Sequence, residues 1–195
     1  VVQVRLLGPL EVVAGDGTPL LVGGAKERAV LALLALHAGQ VVAEGQLVDA
    51  LWGDDPPRTA TKTLRSYVSR LRQGLARGGD EVVIDTAGGG YRLQVGPDGL
   101  DVTRVEQLVA QARDAAGRGD HAWAAVALTE AARSWRGRPL GELGDEPWAL
   151  ADANRLAELR LAVLEERVEE PTRSGQGRVL RTMPPTERGG NDPNQ

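Results

Sequence analysis

The stretch from Arg58 to Arg77, RTATKTLRSYVSRLRQGLAR, constrains this chain more than any other. At about 100° per residue, Leu64, Val68, Leu71 and Leu75 fall on one narrow stripe with Ala60 and Tyr67 at its edge. An amphipathic helix with that stripe needs a core on one side only. The other side carries Arg58, Lys62, Arg65, Ser66, Ser69, Arg72 and Gln73, with Arg70 nearer the border. No Asp or Glu occurs between Asp55 and Asp80, so pairing at i,i+4 within the helix is excluded. Such donor-rich side chains reach phosphates and base edges, although a basic face at this spacing also fits simple solvation.

Composition bounds the partners. The 195 residues carry a net charge of −4 and are 42% apolar, enough to bury a core in one or two domains. Residues 1–97 hold ten basic and ten acidic groups, residues 98–170 nine and fifteen, and residues 171–195 four and two. The acidity sits in the middle segment, so the basic helix keeps its own local field within a Debye length. There is no cysteine, hence no disulfide framework and no Cys-based metal site. The longest apolar run, Ala29 to Leu36, is too short for a bilayer and no signal-peptide pattern opens the chain, so the expected location is the cytoplasm, without a membrane partner.

The order of elements frames the basic helix. Residues 2–13 alternate in places and are followed by turns, predicting short antiparallel strands through Val22. AKERAVLALLALHAG predicts a first helix stopping at Gly39, and AEGQLVDALWG a second ending at Gly53, with Ala43 as a poor N-cap. Asp54-Asp55-Pro56-Pro57 is a stiff acidic loop, after which Thr59 is placed to cap the basic helix. VVIDTAGGGYRLQV then predicts a hairpin around Gly88 to Gly90. Strands, three helices with the third basic, and a hairpin give the order of a winged helix-turn-helix domain.

After Gly96-Pro97-Asp98-Gly99 the chain becomes Ala-rich. Thr103 and Glu106 have capping-box spacing for a helix to about Ala116. A second helix is expected over 121–135, with Trp123, Ala127, Leu128, Ala131 and Trp135 on its apolar side, and a third from Pro147 to about Val168. The fold class is therefore mainly α with small antiparallel β elements. Its expected parts are a winged helix at 1–97, helices of the kind that stack into repeats at 98–170 and a disordered tail at 171–195.

The segments LLGPLEV, ALWGDDPP, TLRSYVSRLRQGL, GGGYRL, WRGRPL and DEPWA occur in that order over about 170 residues. With them the chain resembles the SARP family, the antibiotic regulatory proteins of actinomycetes. The resemblance implies an OmpR-type winged helix followed by a bacterial transcriptional activation domain of TPR-like helices, in a transcriptional regulator that binds direct repeats in double-stranded promoter DNA of secondary-metabolite genes and recruits RNA polymerase; the acidic helices at 101–169 are expected to serve self-association on DNA or partner contacts. It makes 59–76 the recognition helix, with Lys62, Arg65, Ser66, Ser69 and Arg72 facing the groove and Arg92 as the wing contact. Arg58, Thr59 and Thr61 stand at the helix start, where free amides and the dipole favour a phosphate. By the same resemblance Gly53, Asp54, Asp55, Pro56 and Pro57 form a polymerase-contact loop, for which a stiff turn is the plain alternative. Family members continue with further helices past the equivalent of Glu170, so the activation domain is expected to be partial. Two roles follow: an activator, or a competitor or adaptor that binds without activating.

Other chemistry finds little support. His37 and His121 lie in different expected domains without ligand-spaced carboxylates, and neither a G-x-x-x-x-G-K-[ST] loop nor a G-x-G-x-x-G turn occurs. No nucleophile has a local base partner, so neither an enzyme nor a cofactor is expected. Trp123, Trp135 and Trp148 at helical spacing read as core before they read as a ligand platform.

Overall fold

Alternating Val2, Val4 and Leu6 and then Leu10 and Val12 bury one face of the first hairpin. Its strands, β1 (Gln3–Arg5) and β2 (Glu11–Val13), pair antiparallel with Gln3 opposite Val13. The computed structural model describes residues 2–79 and 82–179, with side chains as far as Val168. Helix α1 (Ala25–Leu36) buries Val30, Leu31 and Leu34, and the chain turns at Gly39 in the left-handed region, φ 80°. A short strand β3 (Val42–Ala43) leads into α2 (Glu44–Trp52). Ala43 is indeed its N-cap, and the missing side-chain acceptor is partly offset because the Ala43 amide donates to Gln46 Oε1 at 3.1 Å.

Helix α3 (Ala60–Ala76) follows the exposed Asp54–Pro57 loop. The predicted stripe is the buried one: Ala60, Leu64, Val68, Leu71 and Leu75 are all under a tenth exposed. Strands β4 (Val82–Ala87) and β5 (Gly90–Val95) form a hairpin with Ala87 opposite Gly90. The two residues between them, Gly88 and Gly89, have φ of 56° and 78°, as a tight twist-matched turn requires. Strand β3 pairs with β5 on its other side, giving the antiparallel order β3-β5-β4. Gly90 permits that approach, because a Cβ there would overlap the Val42 carbonyl.

Three more helices follow among the described residues: α4 (Asp101–Gly117), α5 (His121–Arg133) and α6 (Leu150–Val179), with a 3₁₀ turn at Gly141–Asp145. Helix α4 starts two residues before Thr103, so the Thr103/Glu106 spacing does not mark its N-terminus. Asp101 takes the first turn and accepts amides from outside the helix: Leu6 N donates to Oδ1 at 2.8 Å and Leu7 N to Oδ2 at 2.9 Å. Asp120 caps α5 by accepting from the Trp123 amide. Trp123 itself is 43% exposed, whereas Trp135, just beyond the helix, is buried. The apolar side of α5 is carried by Ala124, Ala127, Leu128 and Ala131, which form a flat surface without the indole at 123. Helix α6 begins at Leu150, after Pro147, and runs past Val168 to Val179. Part of the expected tail, 171–179, is thus the end of this helix, and the remainder lies outside the described residues.

The first hairpin joins the two halves. Segment 6–9 lies between Asp101 on one side and residues 136–140 on the other, with Arg136 N donating to Leu7 O and Leu140 N to Leu6 O, both at 2.8 Å. Leu140 is 1% exposed and holds φ at 62°, a left-handed value that costs a non-glycine residue on the order of 1–2 kcal/mol. Its burial against the hairpin compensates for that strain. Burial also pushes the Asp101 carboxyl above its ordinary range, opposed by the Leu6 and Leu7 amides and by the Arg136 guanidinium at 3.8 Å.

Candidate nucleic-acid interface

The polar face of α3 follows from its packing. With one stripe committed to the core, Thr61, Lys62, Arg65, Ser66, Ser69 and Arg72 all project outward and are exposed, as are Arg58 and Thr59 just ahead of the helix. Among the described residues, Arg58, Lys62 and the hydroxyls of Thr59, Thr61 and Ser69 have no hydrogen-bond or ion-pair partner. Thr59 occupies the N-cap position without a side-chain capping bond. The Ala60 amide is satisfied by Pro57 O and that of Thr63 by Thr59 O, while the amides of Thr61 and Lys62 have no acceptor among the described residues. Two free amides, Arg58 and Lys62 therefore meet at one positive helix end.

The remaining nominated side chains are engaged. Arg65 donates to both oxygens of Glu44, Nε to Oε1 at 3.1 Å and Nη2 to Oε2 at 3.3 Å. The Tyr91 hydroxyl donates to the same Glu44 Oε1 at 3.0 Å. The Arg65 hydrogen bond holds the Glu44 carboxyl below its ordinary range and raises the guanidinium's affinity for its proton in return. Arg72 reaches the hairpin: Nε donates to Ile84 O at 2.7 Å and Nη2 to Thr86 Oγ1 at 2.8 Å, with its guanidinium 5.9 Å from the Tyr91 ring centre. Arg92 is paired with Asp85 at 2.6 Å, and Gln94 donates to the same carboxylate at 2.7 Å. That pairing with Arg92 holds the Asp85 carboxyl below its usual range. Ser66 Oγ donates back to Lys62 O, a bond that leaves its lone pairs exposed.

A second polar ladder braces the three helices. Lys26 Nζ lies 5.0 Å from the Trp52 ring centre, Trp52 stacks on Tyr67 at 6.3 Å, and Arg70 lies 5.3 Å over Tyr67 while pairing with Glu27 at 3.1 Å. Arg70, read as a border residue, is the end of this brace. Glu27, Glu44 and Asp85 are the partners that helical periodicity does not reveal: they lie on α1, α2 and β4. The loop Gly53–Pro57 is exposed along its length, and the carboxylates of Asp54 and Asp55 have no partner among the described residues.

A winged helix with a basic third helix, latched through its first hairpin to an array of antiparallel helices, defines a two-domain transcriptional regulator. Comparison with known proteins agrees at both levels. The model of "Transcriptional regulatory protein, C terminal" matches residues 18–93, and that of "Bacterial transcriptional activator domain" residues 100–188. The regulatory protein DnrI of Streptomyces peucetius is 36% identical over 181 residues, which are 89% of this chain and 66% of DnrI. The regulatory protein AfsR of Streptomyces coelicolor is 37% identical over 165 residues, 84% of this chain and 16% of AfsR. The structure of Mycobacterium tuberculosis EmbR in complex with a low-affinity phosphopeptide superposes with a TM-score of 0.84 at 33% identity, covering 92% of this chain and 48% of that one. The chain belongs to the SARP family of transcriptional regulators. It spans about two thirds or less of the length of each of these relatives.

Proposed function

We propose that the chain is a sequence-specific DNA-binding activator of secondary-metabolite genes, which lays α3 in the major groove at promoter direct repeats and recruits RNA polymerase. The observation that carries this reading is the helix start, where Arg58, Lys62 and the unspent amides of Thr61 and Lys62 come together and neither cationic side chain has an ion-pair partner among the described residues. A phosphate there would take two amide hydrogen bonds and two cationic side chains. Ser66 and Ser69 lie further along the same face and read base edges. Arg65 joins them by leaving Glu44, so its charge is released only when a phosphate or guanine competes for it. Arg72 and Arg92 act differently: the first holds the wing against α3, and the second stiffens the wing through Asp85 and reaches backbone only at its outer edge.

Asp54 and Asp55 stand on the Pro-stiffened loop between α2 and α3, exposed and unpaired, which supports a contact to polymerase. The test is selection of bound sites from a random duplex library, followed by transcription in vitro from the selected promoter. The reading expects enriched half-sites in direct orientation spaced by about one helical turn, near 10–11 bp. It also expects activation by the chain that D54N/D55N abolishes while binding is kept. Absence of any enriched sequence contradicts it, and binding without activation reduces it to a site-occupying competitor.

A further inference from the structure

Two indoles and two carboxylates line a cavity at the junction of the two domains. The end of α1, the turn into β3 and helix α2 form one wall, and residues 146–148, ahead of α6, form the other. The cavity is thus built by the two domains themselves. Its volume is about 880 Å³, within the range of small-molecule sites. Trp52 and Trp148 come from different domains and are each partly buried, and Leu33, Val41 and Val42 extend the apolar lining. Asp49 and Glu146 are exposed, and neither carboxylate has a hydrogen-bond or ion-pair partner among the described residues, whereas the adjacent Asp145 is held by Arg138. No Lys or Arg lines the cavity, and His37 is the one basic side chain in its walls among the described residues. No three metal-ligating side chains come together among those residues either, so the carboxylates are not one corner of a metal centre.

We infer that this cavity binds a small organic cation, a flat apolar ring system carrying a protonated amine. The charge of the walls selects that occupant. Indole rings offer apolar area and attract a cation to their faces, and a carboxylate forms a charge-assisted hydrogen bond with an ammonium group. An acidic ring of the same size would meet two carboxylates with neither Lys nor Arg to balance it. A neutral ring would strip water from Asp49 and Glu146 and give nothing in return. The cavity also reaches the ladder that braces the three helices. Trp52 stacks on Tyr67 of α3 at 6.3 Å, and Gly53, in the same wall, opens the loop between α2 and α3. A molecule held between Trp52 and Trp148 therefore bridges the domains at the root of that loop. Its binding stands independently of whether α3 engages DNA.

The test titrates the whole 195-residue chain with imipramine, a tricyclic ring bearing a tertiary amine that is protonated at neutral pH, and follows the indole N–H signals of its four tryptophans by NMR. Single Trp→Phe variants assign the four signals. Those of Trp52 and Trp148 should move together and saturate, with a dissociation constant on the order of 10–100 µM, while those of Trp123 and Trp135 stay in place. Anilinonaphthalene sulfonate, a flat aromatic anion, should move neither of the first two. D49N/E146Q should weaken imipramine about tenfold without lowering the melting temperature of the free chain, because both carboxylates are exposed and unpartnered among the described residues. Equal shifts with the cation and the anion overturn the inference, as do imipramine binding that D49N/E146Q leaves unchanged and shifts spread over all four indoles. So does the absence of any shift at millimolar imipramine, which would give the cavity to a protein segment instead.

Discussion

The Asp101 carboxylate receives the backbone amide of Leu6 on one oxygen and that of Leu7 on the other, at 2.8 and 2.9 Å across 95 and 94 residues of sequence. The start of the helical domain thereby caps the loop of the first hairpin, and Arg136 closes the same loop from the far side through Pro9 O and Glu11. LLGPLEV and WRGRPL, two of the segments that carry the family resemblance, touch each other here.

Replacing Asp101 with Asn keeps the shape but turns an amino group toward one of the two amides. The buried donor left unmatched should cost about 1–3 kcal/mol, read as a lower urea midpoint. D101N should also separate the unfolding of the helical domain from that of the winged helix, seen as non-coincident tryptophan fluorescence and circular dichroism curves. A single transition with an unchanged midpoint would remove the latch from this account.

Arg72 tests the division of labour on α3. R72A removes the bonds to Ile84 O and Thr86 and should destabilise the chain by about 1–2 kcal/mol, with raised amide exchange confined to β4 and β5. R72K should not restore the exchange pattern, since an ammonium cannot span both acceptors in a fixed fork. If R72A left hairpin exchange unchanged, Arg72 would be a plain DNA contact.

Glu44 holds the Arg65 guanidinium in an ion pair between α3 and α2. E44Q keeps the acceptor for the Tyr91 hydroxyl and releases the guanidinium, so binding to duplex DNA should tighten and its log–log salt slope should steepen by about one contact, near −0.9. The pH dependence has a definite sign. The folded Glu44 carboxyl titrates below its ordinary value of 4.5, so the stability it adds is present above pH 4.5 and disappears as pH falls through the lowered folded value. Denaturation curves of the natural chain and E44Q should therefore differ near neutrality and converge in acid. Convergence on raising the pH instead would contradict the pairing.

Much of this was legible in the residues themselves. The α3 stripe, the glycine-tipped wing and the two stopping glycines at 39 and 53 are local features, set by 3.6-residue periodicity and by φ above zero, and each lies where the sequence predicts it. The partners of Arg65, Arg72 and Asp101 were not legible. The groups they bond are 21, 12 and 95 residues away, acceptors for the two arginines and a donating amide for Asp101, and polar pairing across a fold leaves no periodic trace. An acid-free run rules out pairing within a helix, yet it says nothing about carboxylates on the helix before or carbonyls on the strand after. Thr103 and Glu106 show the converse, because a capping-box spacing was present while a buried Asp two residues earlier set the helix start.

The central claim is that the start of α3 binds DNA through Arg58, Lys62 and two free amides. It is tested most directly by measuring the affinity of the natural chain and of K62A for one promoter duplex from 50 to 200 mM salt. The account predicts weaker binding by K62A on every sequence, with the log–log slope flattened by about 0.9, and no change in melting temperature because the Lys62 side chain has no hydrogen-bond or ion-pair partner among the described residues. An identical slope for the two proteins, or no binding by the natural chain at 50 mM salt, would contradict it.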